Sequence, residues 1–317
     1  MTLDVITFGE PLYLFYANEE GPLWQVNNFS RALAGAETNV ATGFARLGFK
    51  PSQVTKLGED TFGKFIIEAM KAEGIETDGI QFTDQQFTGM YMKELNPDGD
   101  PEIEYFRRGS AASTMSVEDF DKDYFLQAKL MHMTTIFAAL NENTLAFTYE
   151  AAKAVSEAGI PISFDPNLRP QLWNSKEEMI ENVHNLAKYA NYFLPGINEA
   201  EMLMGSTDPE EICDYYLDLG VKEIVVVKTG ADGAFYKTAD GQSGHVSGYQ
   251  VKPIDTVGAG DAFAVGFASG LLDDLSIEEA ILRGNACGAR QVTFEGDNDG
   301  MPNREELKDF QENTQRY

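Results

Sequence analysis

Short apolar runs alternate along this chain with longer stretches whose apolar residues recur every three or four positions. The runs at 5–8, 54–57, 130–133, 162–164, 192–194 and 223–228 predict strands. The stretches at 39–47, 62–73, 143–158, 176–189 and 198–204 predict helices. Gly48, Gly74 and Gly159 stand where three of those helices must end. The run at 223–228 is β-branched and apolar through its centre, as in a strand buried on both faces. This cadence predicts an α/β fold with a mostly parallel sheet, and a ligand crevice beyond the carboxyl ends of its strands.

Two segments break the cadence. Residues 12–28 and 88–106 lack helical periodicity and are rich in Tyr, Phe and Thr. The second holds Asn96-Pro97-Asp98-Gly99, a turn signal between two strand-like runs. They predict a small β-sheet inserted at about 12–30 and 87–108 of a single domain spanning 1–317, and forming a lid or a dimer surface. Its open edges predict a homo-oligomer assembled through this lid.

Composition narrows the partners. Lys and Arg number 24 and Asp and Glu 51, giving a formal charge of −27 over 317 residues. So acidic a chain is a poor partner for nucleic acid or an anionic membrane. A site for anions must then be locally positive, which makes arginines beside motifs informative. Cys213 and Cys287 lie far apart, and His132, His184 and His245 form no metal-ligand pattern. No apolar run reaches the ~18 residues of a membrane span. The first residues, Met1-Thr2-Leu3-Asp4-Val5, lack the basic start of a signal peptide, so the expected location is the cytoplasm.

The most informative run is Asp255-Thr256-Val257-Gly258-Ala259-Gly260-Asp261, followed by a small, apolar helical stretch from Ala262 to Leu272. Glycines let the backbone turn sharply and present bare N–H groups. A helix starting near Gly260 aims its free N–H groups and dipole at the same spot, a place for phosphate. An aspartate there makes sense as a base for an attacking hydroxyl, which points to phosphoryl transfer to an alcohol. The plainer alternative is a glycine-rich turn with Asp261 as an ordinary first-turn residue. Gly35-Ala36-Glu37-Thr38-Asn39 also leads into a helix; Asn39 is either a ligand contact or a helix cap. Two other motifs fail. Gly58 to Phe65 nearly spells a Walker A loop, but Phe65 stands where Ser or Thr must hold Mg2+. After the first strand comes Gly9-Glu10-Pro11 instead of a dinucleotide fingerprint.

Together, Ala34-Gly35, Asn39-Val40-Ala41, Gly48, Gly58 and the run 255–261 resemble the ribokinase-like, or PfkB, family of carbohydrate kinases. The resemblance covers essentially the whole chain. It implies a three-layer α/β/α core with a β-lid, ATP as phosphoryl donor and Mg2+ as charge neutraliser. It makes Asp261 the base, and the N–H groups of Gly258, Ala259 and Gly260 the anion hole. Asn198-Glu199-Ala200-Glu201 looks like the family's N-x-x-E element, with Asn198 on the nucleotide side and Glu201 organising Mg2+ through water. Lys228, Thr229, Gly230 and Gly233 resemble its nucleotide-side hairpin, and Asn285 falls where the family lines the adenine pocket.

Substrate choice rests on the lid and the sugar side. Two arginines converging on a sugar site suggest a carboxylate, because the guanidinium fork matches it. The pattern resembles the 2-keto-3-deoxygluconate kinases of the family, which implies Gly35, Asn39, Tyr91, Tyr105, Arg107, Arg169 and Asp261 as contacts of an acid sugar. The alternative places Arg107 and Arg108 on a solvated lid edge and Arg169 on ATP phosphate, as in a fructokinase or another neutral-sugar or nucleoside kinase. From a different class, a non-catalytic sugar or nucleotide sensor would have no need of Asp261. Glu10 stands where many sugar kinases have Asp, which leaves that edge of the sugar site open.

Overall fold

The computed structural model describes residues 2–96 and 101–317. The first half runs β1 (Leu3–Phe8), β2 (Leu12–Glu20), β3 (Phe29–Ala34), α1 (Ala36–Arg46), β4 (Pro51–Gly58), α2 (Thr61–Glu73), β5 (Ile80–Thr83), β6 (Met90–Leu95) and β7 (Ile103–Phe106). It continues through α3 (Lys122–Phe125), β8 (Ala128–Thr134), α4 (Glu142–Glu157), β9 (Ile162–Asp165), α5 (Lys176–Ala187), β10 (Tyr192–Phe193), α6 (Ile197–Met204) and α7 (Pro209–Leu219). The last part holds β11 (Ile224–Lys228), β12 (Gly233–Thr238), β13 (Ser243–Ser247), α8 (Ala259–Leu272), α9 (Ile277–Gln291) and α10 (Arg304–Asn313).

Nine strands form the main sheet in the order β13-β12-β11-β10-β9-β8-β1-β4-β5. Pairing is parallel from β11 to β5, while β12 and β13 close one end as antiparallel strands. Successive residues of β1 face opposite layers, as strand geometry requires. Ile6 and Phe8 pack with Phe125, Phe147, Phe164 and Tyr216, whereas Val5 packs with Val40, Phe44, Val265 and Ala286. The first layer holds α3 to α7 and the second α1 and α8 to α10. This is the expected three-layer α/β/α core. Burying each such large side chain stabilises the fold by roughly 1.5–3 kcal/mol.

The strand order reverses at β1, flanked by β8 and β4. Such a switch point opens a crevice beyond the strand ends. Four short tails reach it: Glu10 after β1, Ile136 after β8, Asn167 after β9 and Thr229 after β11.

The segments that broke the helical cadence form a separate four-stranded sheet, ordered β3-β2-β6-β7. β2 and β6 pair in parallel; the two outer pairings are antiparallel. The first insertion is longer than expected, because β3 continues to Ala34 before α1 begins. Of the expected turn, Pro97, Asp98 and Gly99 lie outside the described residues. Among the described residues no helix is long and apolar enough to cross a membrane. Both cysteines are buried and unpaired.

Candidate active site

One cleft of about 1850 Å³ runs from under the small sheet, over the strand ends, to the β12–β13 hairpin. The N-termini of α1, α6 and α8 open onto it, so three sets of unsatisfied backbone N–H groups face one space.

Asp261 is the third residue of α8 and is buried, at 7 % exposure. Asn39 Nδ2 donates to its Oδ2 at 2.9 Å, and Asn167 Nδ2 to its Oδ1 at 3.2 Å. Burial above all pushes its pKa up to about 7, with Asp165 and Glu37 adding to the rise. The Asn39 hydrogen bond and the Arg169 charge pull the other way. A carboxyl poised near neutrality suits a general base. Asn39 is itself held, because Asn298 Nδ2 donates to its Oδ1 at 2.9 Å. One N–H of its amide thus aims Asp261, and Asn39 also lines the cleft where a sugar contact was expected of it.

Gly258 caps α8 with a left-handed φ of 75°, a conformation that favours glycine. A Cβ there would also collide with the backbone carbonyl of Asp297. Both facts explain why the turn into the helix needs this residue. A Cβ on Gly260 would lie 3.4 Å from Lys228 Nζ and 3.5 Å from Asp165 Oδ2. The helix start thus faces a buried ion pair, Lys228 to Asp165 at 2.6 Å. Burial opposes the lysine's charge, but Asp165 and Glu199 outweigh it and raise its pKa. Lys228 therefore stays cationic beside the start of α8.

Glu199, not Glu201, belongs to this group. Glu199 Oε2 accepts from Gly196 N at 2.7 Å and its Oε1 from Leu168 N at 2.8 Å. Burial chiefly, and Asp165 next, raise its pKa. Glu201 is exposed and absent from the cleft wall. The reason is helical geometry: two residues along α6 turn a side chain by about 200°, to the opposite face. Asn198 does line the cleft.

At the sugar end, Gly35 has a φ of 120°, and a Cβ there would press on the Glu10 carbonyl at 2.7 Å. Tyr91 and Tyr105 are cross-strand partners, stacked with centroids 5.2 Å apart. Tyr91 is buried and its hydroxyl donates to Asp297 Oδ2 at 2.7 Å. Arg107 is less free than its sequence context suggests. Its Nε and one terminal nitrogen both meet Glu10 Oε2, at 2.6 and 2.5 Å. Ser110 holds the other Glu10 oxygen. Arg169 donates one N–H to the Leu168 carbonyl at 2.8 Å and makes no ion pair among the described residues. Of Arg107 and Arg169, the less committed guanidinium is thus Arg169.

At the far end, Thr229 bonds the Gly233 carbonyl through its N–H and its hydroxyl, closing the turn that presents Gly230. Asn285 Nδ2 donates to the carbonyls of Val246 and Ser247, fastening α9 to β13. Thr229, Gly230, Gly233 and Asn285 line the same cleft.

The site is not positive by excess of basic groups, contrary to expectation. Six acidic side chains (Glu10, Glu37, Asp165, Glu199, Asp261, Asp297) and five basic ones (Lys93, Arg107, Arg108, Arg169, Lys228) line it. Burial raises the pKa of Glu37, Glu199, Asp261 and Asp297, which lessens their charge. Glu37, Asp165, Asn167, Glu199, Asp297 and Asn298 were not among the expected contacts. Glu37 and Glu199 sit inside motifs already conspicuous in the sequence; nothing local marks Asp297 or Asn298.

Residues 2–304 match the family model described as pfkB family carbohydrate kinase. The chain belongs to that family. It is similar to a 2-dehydro-3-deoxygluconokinase of Bacillus subtilis (strain 168), with 46 % identity over 98 % of this chain and 96 % of the relative. Among solved structures it resembles a PfkB protein from Polaromonas sp. JS666, with a TM-score of 0.90 and 44 % identity over 96 % of this chain and 99 % of the other. It also resembles an E. coli candidate ribokinase II in complex with ATP and Mg2+, with a TM-score of 0.89 and 27 % identity over 97 % and 98 % of the two chains. The ribokinase-like fold and the carbohydrate kinase class expected from the sequence are both borne out.

Proposed function

We propose that this PfkB kinase transfers the γ-phosphoryl group of ATP to O6 of 2-keto-3-deoxygluconate, giving the 6-phosphate and ADP. The observation that carries the reading is Asp261: buried, aimed by two asparagines, poised near neutrality and set at a helix N-terminus. The similarity to the Bacillus subtilis relative supports the choice of sugar. Arg169, and the part of Arg107 that Glu10 leaves free, would hold the sugar carboxylate, with Gly35, Tyr91 and Tyr105 around it. That grip presents O6 to Asp261, which accepts its proton as the new O–P bond forms and the bond to ADP breaks. The N–H groups of Gly258, Ala259 and Gly260, the α8 dipole and Lys228 would stabilise charge on the transferring group. Asn198, Thr229, Gly230, Gly233 and Asn285 would line the nucleotide end.

Among the described residues no cluster of three His, Cys, Asp or Glu side chains could hold a metal alone. Mg2+ commonly keeps several waters and binds through phosphate and one or two carboxylates, and Asp165 and Glu199 fit that role. When bound there, Mg2+ would neutralise phosphate charge. The role first expected of Glu201 passes to Glu199 in this reading.

The product tests the reaction. Phosphorus NMR of a turnover mixture should show one phosphate ester coupled to the two protons of a primary carbon. Free phosphate without ester would mean ATP hydrolysis and would overturn the assignment.

The lid is proposed to join two copies. It exposes Tyr16, Ile103, Tyr105 and Phe106, and its outer strands leave open edges. Light scattering at micromolar concentration should give at least twice the monomer mass; a monomer would refute this.

A further inference from the structure

Side chains two apart on a strand share a face, so Tyr91 and Lys93 of β6 point the same way. Both cross from the lid to the opposite wall of the cleft. Tyr91 reaches Asp297 Oδ2, and Lys93 Nζ meets Asp255 Oδ2 at 2.9 Å. Lys93 Nζ also lies 4.0 Å from Asp297 Oδ1, an oxygen that accepts no hydrogen bond among the described residues. The lysine side chain is only 12 % exposed, unusual for this residue type.

The two acids it meets are attached to the transfer site. Asp255 uses its other oxygen, Oδ1, to accept from Val257 N at 3.0 Å. One carboxylate therefore holds a lid lysine and the backbone that runs into Gly258. Asp297 packs its carbonyl directly on Gly258, in the space a Cβ would need. Its neighbour Asn298 fixes Asn39, which in turn orients Asp261. A half-buried lysine set against two acids is costly unless its geometry is kept, so loss of one partner disturbs the others.

We propose that Lys93, seconded by Tyr91, is a positioning residue for phosphoryl transfer. Seated on Asp255 and Asp297, it fixes the turn of the anion hole at 256–258 and, through Asn298 and Asn39, the direction of Asp261. The lid strand that lines the sugar site thereby also sets the phosphate site, so transfer depends on the lid being in place. Lys93 touches no reacting atom in this role. The inference rests on the kinase reading above.

The test compares the full-length wild type with Lys93→Met, Lys93→Arg, Asp255→Asn and the double variant Lys93→Met/Asp255→Asn. Lys93→Met should lower kcat by about 10- to 100-fold, with KM for sugar and for ATP within about threefold, since small misplacements act on the transfer step. Lys93→Arg should recover most of the loss. The double variant should be no slower than the worse single one, because both break one contact. Tyr91→Phe, which keeps the stacked ring, should show a smaller fall in kcat. A raised sugar KM with unchanged kcat would make Lys93 a sugar contact and overturn the proposal. Multiplying losses in the double variant, or no loss at all, would also overturn it. If the wild type turns over another sugar and not the keto acid, the substrate reading fails, and the same ratios are read with that sugar.

Discussion

Replacing Asp261 with Asn should lower kcat by about 10²- to 10⁴-fold, with binding of a non-hydrolysable ATP analogue changed by less than about threefold. The side chain keeps its size but loses the proton acceptor. Asn39 and Asn167 both donate to the carboxylate, so an amide can satisfy only one of them without turning a donor on a donor. Asn39 is pinned by Asn298, so Asn167 is the partner that must move. The pH dependence gives a second readout. With a pKa of about 7, Asp261 is the active carboxylate only as pH rises through neutrality. Wild-type kcat/KM should therefore climb through about pH 7 and level above it, and this limb should vanish in Asp261→Asn.

Stability should move the opposite way from activity. The native state keeps the Asp261 proton up to about pH 7, whereas the unfolded chain releases it near its ordinary value of 3.8. Between those values the native state binds more protons, so stability falls as pH rises. Asparagine has no proton to lose. At pH 8 Asp261→Asn should be more stable than wild type by roughly 1–4 kcal/mol, and near pH 4 the gain should disappear. Denaturant midpoints at the two pH values check this; equal effects at both would show that Asp261 is not held protonated by burial.

Replacing Arg169 with Ala should cost about 2–5 kcal/mol in kcat/KM for the acid sugar, a loss of about 30-fold or more. Fructose, lacking the carboxylate, should lose less than about threefold. Arg169 is the clean position for this experiment because its guanidinium makes no ion pair among the described residues. Arg107→Ala is less clean, since it strands Glu10, which is 3 % exposed, without its cation. Breaking a buried pair on one side is itself costly. Arg169 also lowers the Asp261 pKa, so Arg169→Ala should move the pH limb upward. An equal loss for both sugars would assign Arg169 to phosphate or to structure instead.

The sequence made the central layers legible because their signals are local. Apolar runs became β1, β4, β8, β9, β10 and β11, and the glycine turn before Asp261 became the start of α8. The strand at 162–164 was visible, but the use of the residues just past it was not: Asn167 finds Asp261 94 residues away. The choice between Glu199 and Glu201 depended on the rotation of α6, which an N-x-x-E spacing does not fix. Arg107 looked free because Glu10 lies 97 residues earlier and pairs with it only across the lid. Asp297 and Asn298 follow α9 in a segment without periodicity, so only folding brings them against Gly258 and Asn39. β5, β12, β13, α7, α9 and α10 were not predicted.

Asp261 as base and an acid sugar as acceptor meet in one quantity, the enzyme's specificity. The decisive measurement is kcat/KM of the wild-type protein with Mg-ATP for 2-keto-3-deoxygluconate against fructose, ribose and adenosine, followed as ADP release. Turnover of the keto acid should exceed that of each neutral acceptor by at least about 10²-fold, the scale of one well-held carboxylate. Faster turnover of fructose or ribose would leave Asp261 and the fold in place and contradict the acid-sugar reading.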